Sequence, residues 1–484
     1  MPREPAHALP ASSNPREDVD AASAQSFPAS DPPPWTLGTD DEDHSRIEHD
    51  SLGEVRVPAN ALYGAQTQRA VENFPVGSYR LQSGFIHAVA LIKGCAARVN
   101  GKLGAIKPEL AQAIAQAAED IANDRYADQF PVSIFQTGSG TSTNMNVNEV
   151  IAHLSGAHPN DHVNRNQSSN DVIPSAIHVA AARQIHSELL PAMECLRQAL
   201  ESKAEEFRDV SKIGRTHLQD ATPMTLGQEF GGYEHQVRAS AERVTAALDG
   251  LYELPLGGTA IGTGVNLSPG FAAETIGLIS QRTGIPFREA RNHFEAQAAK
   301  DAVLFMSGAL RTYAVALTKI ANDIRWLASG PRGGIGEIRL PELQPGSSIM
   351  PGKTNPVIAE SVLMVCAQVI GHDAAIAWSC AAGNFELNTM MPLIAFDLLD
   401  SIELLGACSR NFAVRCIADL TADAGRAGAL VEQSSAMATL LAPDIGYDKS
   451  AAIVKEALSK GRTVREVAIE KSGLSRERID QLFR

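Results

Sequence analysis

Patterns that hold metals or disulfides are missing from this sequence. Its six cysteines are scattered without a CxxC pair, and its 13 histidines show no HExxH or comparable spacing. Neither a disulfide framework nor a zinc or iron–sulfur site is indicated, so we expect chemistry without a metal or other cofactor. Aromatic residues make up only 5% of the chain. With Ala and Leu abundant, this composition favours helices over a β-rich architecture.

Basic charge and long apolar runs are also scarce. The formal net charge is −14, which gives no sign of a nucleic-acid partner. No stretch contains 18 uninterrupted apolar residues, so no membrane span is expected. We therefore expect a soluble protein.

The first 50 residues differ from the rest in composition. They contain 11 Asp or Glu and only 3 Arg, and eight of the 26 prolines fall between Pro2 and Pro34. Such a segment predicts a disordered acidic tail over residues 1–45. It has neither the apolar run of a signal peptide nor the arginines of a transit peptide, so we expect a cytoplasmic protein.

What the rest of the chain does contain is helical periodicity. Apolar residues stay near one helical face over residues 176–210, with a kink expected at Pro191, and they recur at alternating steps of three and four over residues 303–327. Further helices are predicted over residues 224–250, 356–381 and 389–417. Helices of this length, joined by glycine-rich turns, predict a bundle. We expect a first domain at 46–166, the bundle at 167–424 and a small helical domain at 425–484.

The most informative segment is GSSIMPGKTNP, Gly346 to Pro356. It concentrates hydroxyl, amide and ammonium groups where glycine and proline prevent regular helix or strand. Asn355 before a proline predicts a helix N-cap, which would put Lys353 beside the positive end of a helix dipole and favour a bound anion. Five residues separate the two glycines, which is one too many for a phosphate loop. A surface loop without function is the plain alternative.

Three other segments are dense in small polar groups. They are QTGSGTSTNMN, with Ser139, Gly140 and Thr141; HPNDHVNRNQSSND, with Ser168, Ser169 and Asn170; and GRTHLQDATP, with Thr216 and His217 between two helices. Turns, helix capping and a surface histidine would explain each of them separately. Glu360, near the start of the helix after the serine loop, could likewise complement a helix dipole.

Taken together, the four segments resemble the fumarase/aspartase superfamily, and specifically the class II, iron-independent fumarases. The resemblance runs from about Arg46 to the last residues. Aspartases carry glutamine where this chain has His217, and their other segments read AGAGT and STND rather than QTGSGT and SSND. An aspartate ammonia-lyase is the leading rival, and a non-catalytic relative such as a lens crystallin is a second.

The resemblance implies an all-α, three-domain fold with a long central helix bundle, and reversible hydration of fumarate to L-malate in the tricarboxylic acid cycle. It also implies a homotetramer in which three subunits share each active site, with a small dicarboxylate as ligand. The implied catalytic residues are His217, Ser347 and Glu360. The implied substrate contacts are Ser139, Gly140, Thr141, Ser168, Ser169, Asn170, Thr216, Ser348, Lys353 and Asn355.

A second dicarboxylate site is also typical of class II fumarases. Its string of histidine, asparagine and aspartate corresponds here to His158, Asn160 and Asp161. The better known versions have an arginine three residues before the histidine, where this chain has Ser155. Binding at this second site is therefore an open expectation.

Overall fold

The computed structural model of the protein describes residues 44–346 and 348–483. The predicted tail over residues 1–45 lies outside the described residues except for its last two, and the first residue of strand β1 is Ser45. The candidate base Ser347 also lies outside them.

Helices make up most of the described chain. They are α1 Ala65–Asn73, α2 Ser83–Lys102, α3 Pro108–Ala122, α4 Thr141–Ser155, α5 Ser169–Gln184, α6 Leu190–Glu206, α7 Leu226–Leu251, α8 Phe271–Thr283, α9 His293–Ala298, α10 Asp301–Leu327, α11 Val357–Ala381, α12 Met391–Phe412, α13 Ala424–Gln433, α14 Ala442–Ile445, α15 Tyr447–Lys460, α16 Val464–Lys471 and α17 Arg476–Leu482. Short π-helical segments, Ile185–Leu189 and Ala413–Ile417, follow α5 and α12.

Five long helical rods form the central bundle: α5 with α6, then α7, α10, α11 and α12. Neighbours along the chain run antiparallel and pack on one another, with α10 against both α7 and α11. The stripe on α10 includes Met306, Tyr313 and Ile320, all buried. Burial of such stripes holds the bundle together, because each apolar side chain removed from water contributes on the order of 1.5–3 kcal/mol.

The helices predicted for this bundle are present, but the one predicted over 176–210 starts seven residues earlier, at Ser169, and ends at Glu206. Pro191, where a kink was expected, lies in the first turn of α6, directly after the π-helical segment Ile185–Leu189 that separates α5 from α6. The helix predicted over 224–250 begins only at Leu226, because the preceding residues form a strand. All-α is the correct fold class.

Strands are few and short in the described chain. They are β1 Ser45–Asp50, β2 Gly53–Pro58, β3 Ser211–Thr216, β4 Gln219–Thr225, β5 Glu253–Leu254, β6 Arg288–Glu289, β7 Ile338–Arg339 and β8 Thr421–Ala422, paired as four two-stranded sheets. The antiparallel pair β3–β4 matters most for the site, since its turn carries His217. The sequence placed Thr216 and His217 simply between two helices, and this hairpin was not predicted.

The described residues form one large apolar cluster, one smaller cluster and two minor ones of three or four residues. The large one includes the bundle and α2 to α4. The smaller one is built from residues 431–483 and reaches the hairpin only through Ile213. Helices α15 to α17 therefore pack mainly among themselves, whereas α13 packs chiefly against β3.

Two bundle helices, α10 and α11, are long and apolar enough to cross a membrane by length and composition alone. One face of each helix is buried in the core of the bundle, and the two helices pack against each other. Their opposite faces carry large apolar side chains that this single chain leaves exposed. These are Phe305, Val315, Trp326, Met364, Ile370 and Trp378.

Candidate active site

The first candidate loop leads directly into helix α4. Thr141 is already the first helical residue, so the second half of QTGSGTSTNMN is helix rather than flexible loop. The side-chain oxygen of Gln136 accepts hydrogen bonds from the backbone and hydroxyl of Thr143, both at 2.9 Å. The hydroxyls of Ser139 and Thr141 are 2.8 Å apart. The loop thus presents two adjacent hydroxyls at a helix N-terminus, where an anion is favoured.

Glycines are needed in this loop because the chain passes close to other segments. A Cβ on Gly138 would lie 1.8 Å from the carbonyl oxygen of Thr389. Gly140 has φ of 72° and is packed against Ile173, so a larger residue would be strained there on two counts. The loop is therefore held against α5 and the start of α12.

The second candidate segment forms the first turn of α5. Ser168 is the N-cap, and its hydroxyl accepts a hydrogen bond from the backbone of Asn170. Ser169 and Asn170 are therefore helical residues rather than loop residues. The amide nitrogen of Asn170 donates to the carbonyl of Ala260 at 2.8 Å. This contact brings the segment 257–260 beside the candidate substrate residues.

A buried polar network joins these first two segments. The side-chain oxygen of Asn164 accepts from the ammonium of Lys93 at 2.7 Å and from the amide of Asn144 at 3.3 Å. The same amide of Asn144 lies 3.2 Å from the hydroxyl of Ser169. Burial lowers the pKa of Lys93 to about 7, although the carboxylate of Asp171 opposes that shift. The network fixes α4 and α5 relative to each other.

The sequence did not predict the members of this network. One signal was present: α4 is buried almost throughout, yet it contains Asn144, Asn146 and Asn148. Buried amides must find hydrogen-bond partners, so amides on a buried helix indicate a polar network. Which residues they meet depends on tertiary packing.

The turn of the β3–β4 hairpin carries the candidate histidine. Its two central residues are His217 and Leu218, with φ of 57° and 61°. Positive φ at both positions is the geometry of a type I′ turn, usually taken by Asn and Gly. Thr216, His217 and Leu218 are all exposed in the single chain. The turn that carries the imidazole is therefore accessible on the surface of the single chain.

Buried ion pairs hold the base of this hairpin. The guanidinium of Arg215 binds the carboxylate of Glu337 at 2.7 and 3.1 Å. Lys212 binds Glu229 at 2.7 Å and lies 3.5 Å from Glu337, whose side chain is fully buried. A bidentate contact fixes orientation as well as distance. The hairpin stem is therefore rigidly placed beneath an exposed turn.

The serine loop between α10 and α11 is closed at its base. The side chain of Asn355 donates to the carbonyl of Gly346 at 2.6 Å. This corrects the prediction that Asn355 is an N-cap: α11 begins at Val357, the N-cap is Pro356, and no side chain caps it. Ser348 and Lys353 are exposed, and Glu360 lies in the first turn of α11.

Within one chain the four segments fall into two groups at opposite ends of the bundle. The backbone of Met391 donates to Gly138, which places the first two segments at the start of α12. The backbone of Glu337 donates to Leu327, which places the hairpin at the end of α10 with the serine loop that follows. The 27 residues of α10 separate the groups by about 40 Å. A single chain does not bring them together.

Comparisons with known proteins decide the family. The family described as Lyase matches residues 53–371, and the family described as Fumarase C C-terminus matches residues 437–484. The fumarate hydratase class II of Mycobacterium tuberculosis is 53% identical over 445 residues, covering 91% of this chain and 94% of the relative. The chain belongs to the class II fumarase family.

Other members of the family agree in sequence and in fold. The fumarate hydratase class II of Thermosynechococcus vestitus is 49% identical over 452 residues, covering 91% of this chain and 97% of the relative. The crystal structure of class II fumarase from Schistosoma mansoni has a TM-score of 0.88 at 40% identity, covering 91% of this chain and 98% of that one. A fumarate lyase:delta crystallin from Brucella melitensis, bound to cobalt, has a TM-score of 0.86 at 45% identity, with coverage of 91% and 98%.

The predicted second site of this class II fumarase lies on a short π-helical turn, Pro159–Val163. His158 and Asp161 are both exposed, with 3.3 Å between the ring nitrogen Nδ1 and the carboxylate. The backbone of Asp161 also donates to that nitrogen. The turn leads into Asn164 of the buried network and so lies at the same end of the bundle as Ser139 and Asn170. Asn160 is exposed on the same turn.

Metal-ligating clusters are absent from the part of the fumarase that the structure describes. Across residues 44–346 and 348–483, no group of three or more His, Cys, Asp or Glu side chains could hold a metal ion. The six cysteines are unpaired, and burial raises the pKa of Cys95, Cys408 and Cys416 to about 12. These thiols are packing residues.

Proposed function

We propose that this chain is a fumarate hydratase that interconverts fumarate and L-malate. The supporting observation is likeness over nine-tenths of the chain to proteins named fumarate hydratase class II, at 53% identity for the Mycobacterium tuberculosis relative. An aspartate ammonia-lyase is less favoured, because the curated relatives named above are hydratases and His217 stands where aspartases carry glutamine. The tricarboxylic acid cycle is the natural setting for this reaction.

The difficult step is removal of a proton from C3 of malate, next to a carboxylate. The resulting carbanion is tolerable only as an aci-carboxylate, with the extra charge on oxygen. Preorganised donors and cations aimed at that carboxylate contribute the largest share of catalysis. Lys353 and Asn355 take this role, and Ser139, Gly140, Thr141 and Thr216 contact the substrate, together with Ser168, Ser169 and Asn170.

Proton transfer is divided between two segments. Ser347 abstracts the C3 proton as an alkoxide stabilised by loop amides and Lys353, with Ser348 as the fallback base and a substrate contact. His217, paired with Glu360, handles the proton of the departing hydroxyl or attacking water. A Ser347→Ala variant with full activity would remove Ser347 from this role.

Assembly into a homotetramer completes the site. The candidate segments lie at two ends of one bundle, so each end must meet the opposite end of another chain. The exposed apolar faces of α10 and α11 supply a surface for that packing, since patches of this kind mark protein interfaces. The exposed His217 turn would then project into a site whose other walls come from two further subunits.

Mixed oligomers test the shared site. His217→Asn is expected to be inactive and Asn170→Ala to have a strongly raised KM, so at a fumarate concentration well below the parent's KM both are nearly silent. Refolding them together should restore about one quarter of the sites by random assortment. Sites contained within one chain would regain nothing on mixing. The reaction itself is tested by following fumarate absorbance with L-malate and, separately, with L-aspartate. Fumarate formed from aspartate alone would refute the assignment.

We divide the chain into an N-terminal unit at 46–166, the bundle at 167–424 and a C-terminal unit at 425–484, in keeping with the separate apolar cluster of residues 431–483. The enzyme works in the cytoplasm without a metal, a nucleic acid or a membrane as partner. His158, Asn160 and Asp161 form a weak second dicarboxylate site, because no arginine stands at Ser155.

A further inference from the structure

Asp171 is the buried centre of the contacts around Asn170, and nothing in the proposed chemistry uses it. Its side chain is fully buried in the first turn of α5. One carboxylate oxygen accepts from the backbone of Ser168 at 2.9 Å, which completes the capping box of the helix. The other oxygen accepts from the backbones of Gly257 and Thr259, at 3.1 and 2.9 Å. One side chain thus ties two distant segments together.

The segment 257–260 is itself held in a costly conformation. Thr259 has φ of 53°, which is a strained value for a β-branched residue. Its hydroxyl is buried and has no hydrogen-bond partner among the described residues. Such strain persists only where the surroundings determine the backbone. The surroundings here are Asp171 on one side and Gln297, whose amide donates to the carbonyl of Thr259 at 2.8 Å, on the other.

The segment in turn sets the amide of Asn170. The nitrogen of that amide donates to the carbonyl of Ala260, the residue after Thr259. A flipped amide would place its oxygen against the carbonyl of Ala260, so the contact selects one orientation. Only one of the two amide hydrogens is used by this bond. The oxygen and the second hydrogen are then presented in a fixed direction beside Ser169.

The charge on Asp171 suits this role at neutral pH. Burial raises the pKa of its carboxyl to about 6, against the opposing effect of its three backbone hydrogen bonds and of Lys93. At pH 7 or above the group is ionised and accepts on both oxygens. An asparagine has the same shape but accepts on one atom only, so its amino group would face a backbone donor.

We propose that Asp171 is a positioning residue, which fixes the amide of Asn170 by clamping the segment 257–260 to the first turn of α5. This inference rests on the proposed substrate contact of Asn170. Asp171 does not touch the substrate and acts through Ala260. Loss of the clamp frees the Asn170 amide to rotate and weakens binding of the substrate carboxylate, while the proton-transfer groups are left unchanged.

The main test is Asp171→Asn in the full-length enzyme, with Glu466→Gln as matched control. Glu466 holds the same third position in the capping box of α16, among the C-terminal helices. We expect Asp171→Asn to raise KM for fumarate about tenfold or more with a smaller change in kcat, and Glu466→Gln to leave both unchanged. A KM equal to that of the parent would overturn the proposal.

A double-mutant cycle shows whether Asp171 acts through Asn170. In an Asn170→Ala background, Asp171→Asn should add little further loss, because the amide it positions is gone. Additive losses would contradict the proposal. An Asn170→Ala enzyme with normal KM would instead refute the proposed substrate contact, and the clamp is then judged on amide exchange alone.

Hydrogen exchange measures the clamp without reference to activity. Amides of the peptide spanning residues 255–262 should exchange at least about tenfold faster in Asp171→Asn than in the parent, while the α16 peptide is unchanged. Unchanged exchange at 255–262 would overturn the clamp. If Asp171→Asn does not fold, Gln297→Leu serves in the same measurements, since it removes only the donor to Thr259. It should raise exchange and KM in the same direction.

Discussion

Arg215 and Glu337 form a bidentate ion pair under the hairpin turn. Arg215 lies two residues before His217, the candidate proton-transfer group. Glu337 is fully buried, and its own backbone is bonded to Leu327 and Asp423. The pair therefore anchors the hairpin to the end of α10.

Replacing Glu337 by Gln should destabilise the protein and lower kcat. The guanidinium of Arg215 and the ammonium of Lys212 would lose their shared buried carboxylate, a change that typically costs about 3–5 kcal/mol. Glu470→Gln is the control, because Glu470 makes an equally bidentate pair with Arg462 at the exposed surface. For each variant, thermal unfolding measures the stability and malate formation from fumarate measures kcat. Equal effects from the two variants would contradict the anchoring role.

Replacing His217 by Asn should remove activity and leave the fold intact. Asparagine tolerates positive φ, so the turn is kept while the imidazole is lost. We expect kcat to fall by about 10²- to 10⁴-fold, the usual contribution of a general acid or base. Leu218→Asn, in the same turn, is the control and should retain activity. Steady-state kinetics and the unfolding midpoint would separate loss of chemistry from loss of structure.

Replacing Gly138 by Ala should displace the loop that carries Ser139 and Thr141. The new Cβ would overlap the carbonyl oxygen of Thr389, so one of the two segments must move. Overpacking of this kind costs about 1–3 kcal/mol. At Gly333, where a Cβ meets nothing within 4 Å, alanine should be neutral. KM for fumarate is the deciding measurement, and a normal value in Gly138→Ala would be against a role for this loop.

Replacing Asp397 by Asn should stabilise the protein, most clearly above neutral pH. Burial, and then the nearby charge of Asp400, raise the pKa of Asp397 to about 7. A raised pKa means that the folded state resists ionisation, so stability is full below the ordinary value near 4 and falls as pH rises through 7. His372 lies 3.7 Å from Asp397, and burial lowers the pKa of its imidazole although the charge of Asp400 opposes that shift.

Unfolding midpoints at pH 4 and pH 8 test this prediction. The difference in unfolding midpoint between Asp397→Asn and the parent should be larger at pH 8 than at pH 4. Asp448→Asn, at an exposed site on α15, should give the same small difference at both values. If the gain in the unfolding midpoint of Asp397→Asn were greatest at pH 4, the predicted direction of the pH dependence would be wrong.

The sequence was sufficient for the bundle because helix periodicity depends on local spacing. The regular stripe of α10 predicted its ends within two residues. Hairpin β3–β4 was missed because His217 and Leu218 are not the Asn and Gly that signal a type I′ turn. Its conformation is imposed by the ion pairs at its base, which join residues 122 positions apart.

The candidate site was predictable as a set of segments and not as an arrangement. Clusters of small polar residues identified Ser139, Asn170 and Lys353 as candidates without showing that two of the segments lie at each end of the bundle. Asp171, Gln136 and Asn164 were missed because their roles depend on contacts between segments far apart in sequence. Capping accounts for Asp171 locally, but only the fold shows its second partner.

The 40 Å span of the bundle helices makes their length as important as their composition. One residue inserted in α10 would shift everything beyond it by about 1.5 Å and turn it by about 100°. The buried stripe and the ion-paired hairpin would both lose their register. Evolution of this enzyme can therefore exchange side chains along α10, α11 and α12, while insertions and deletions should be confined to the connecting loops and the chain ends.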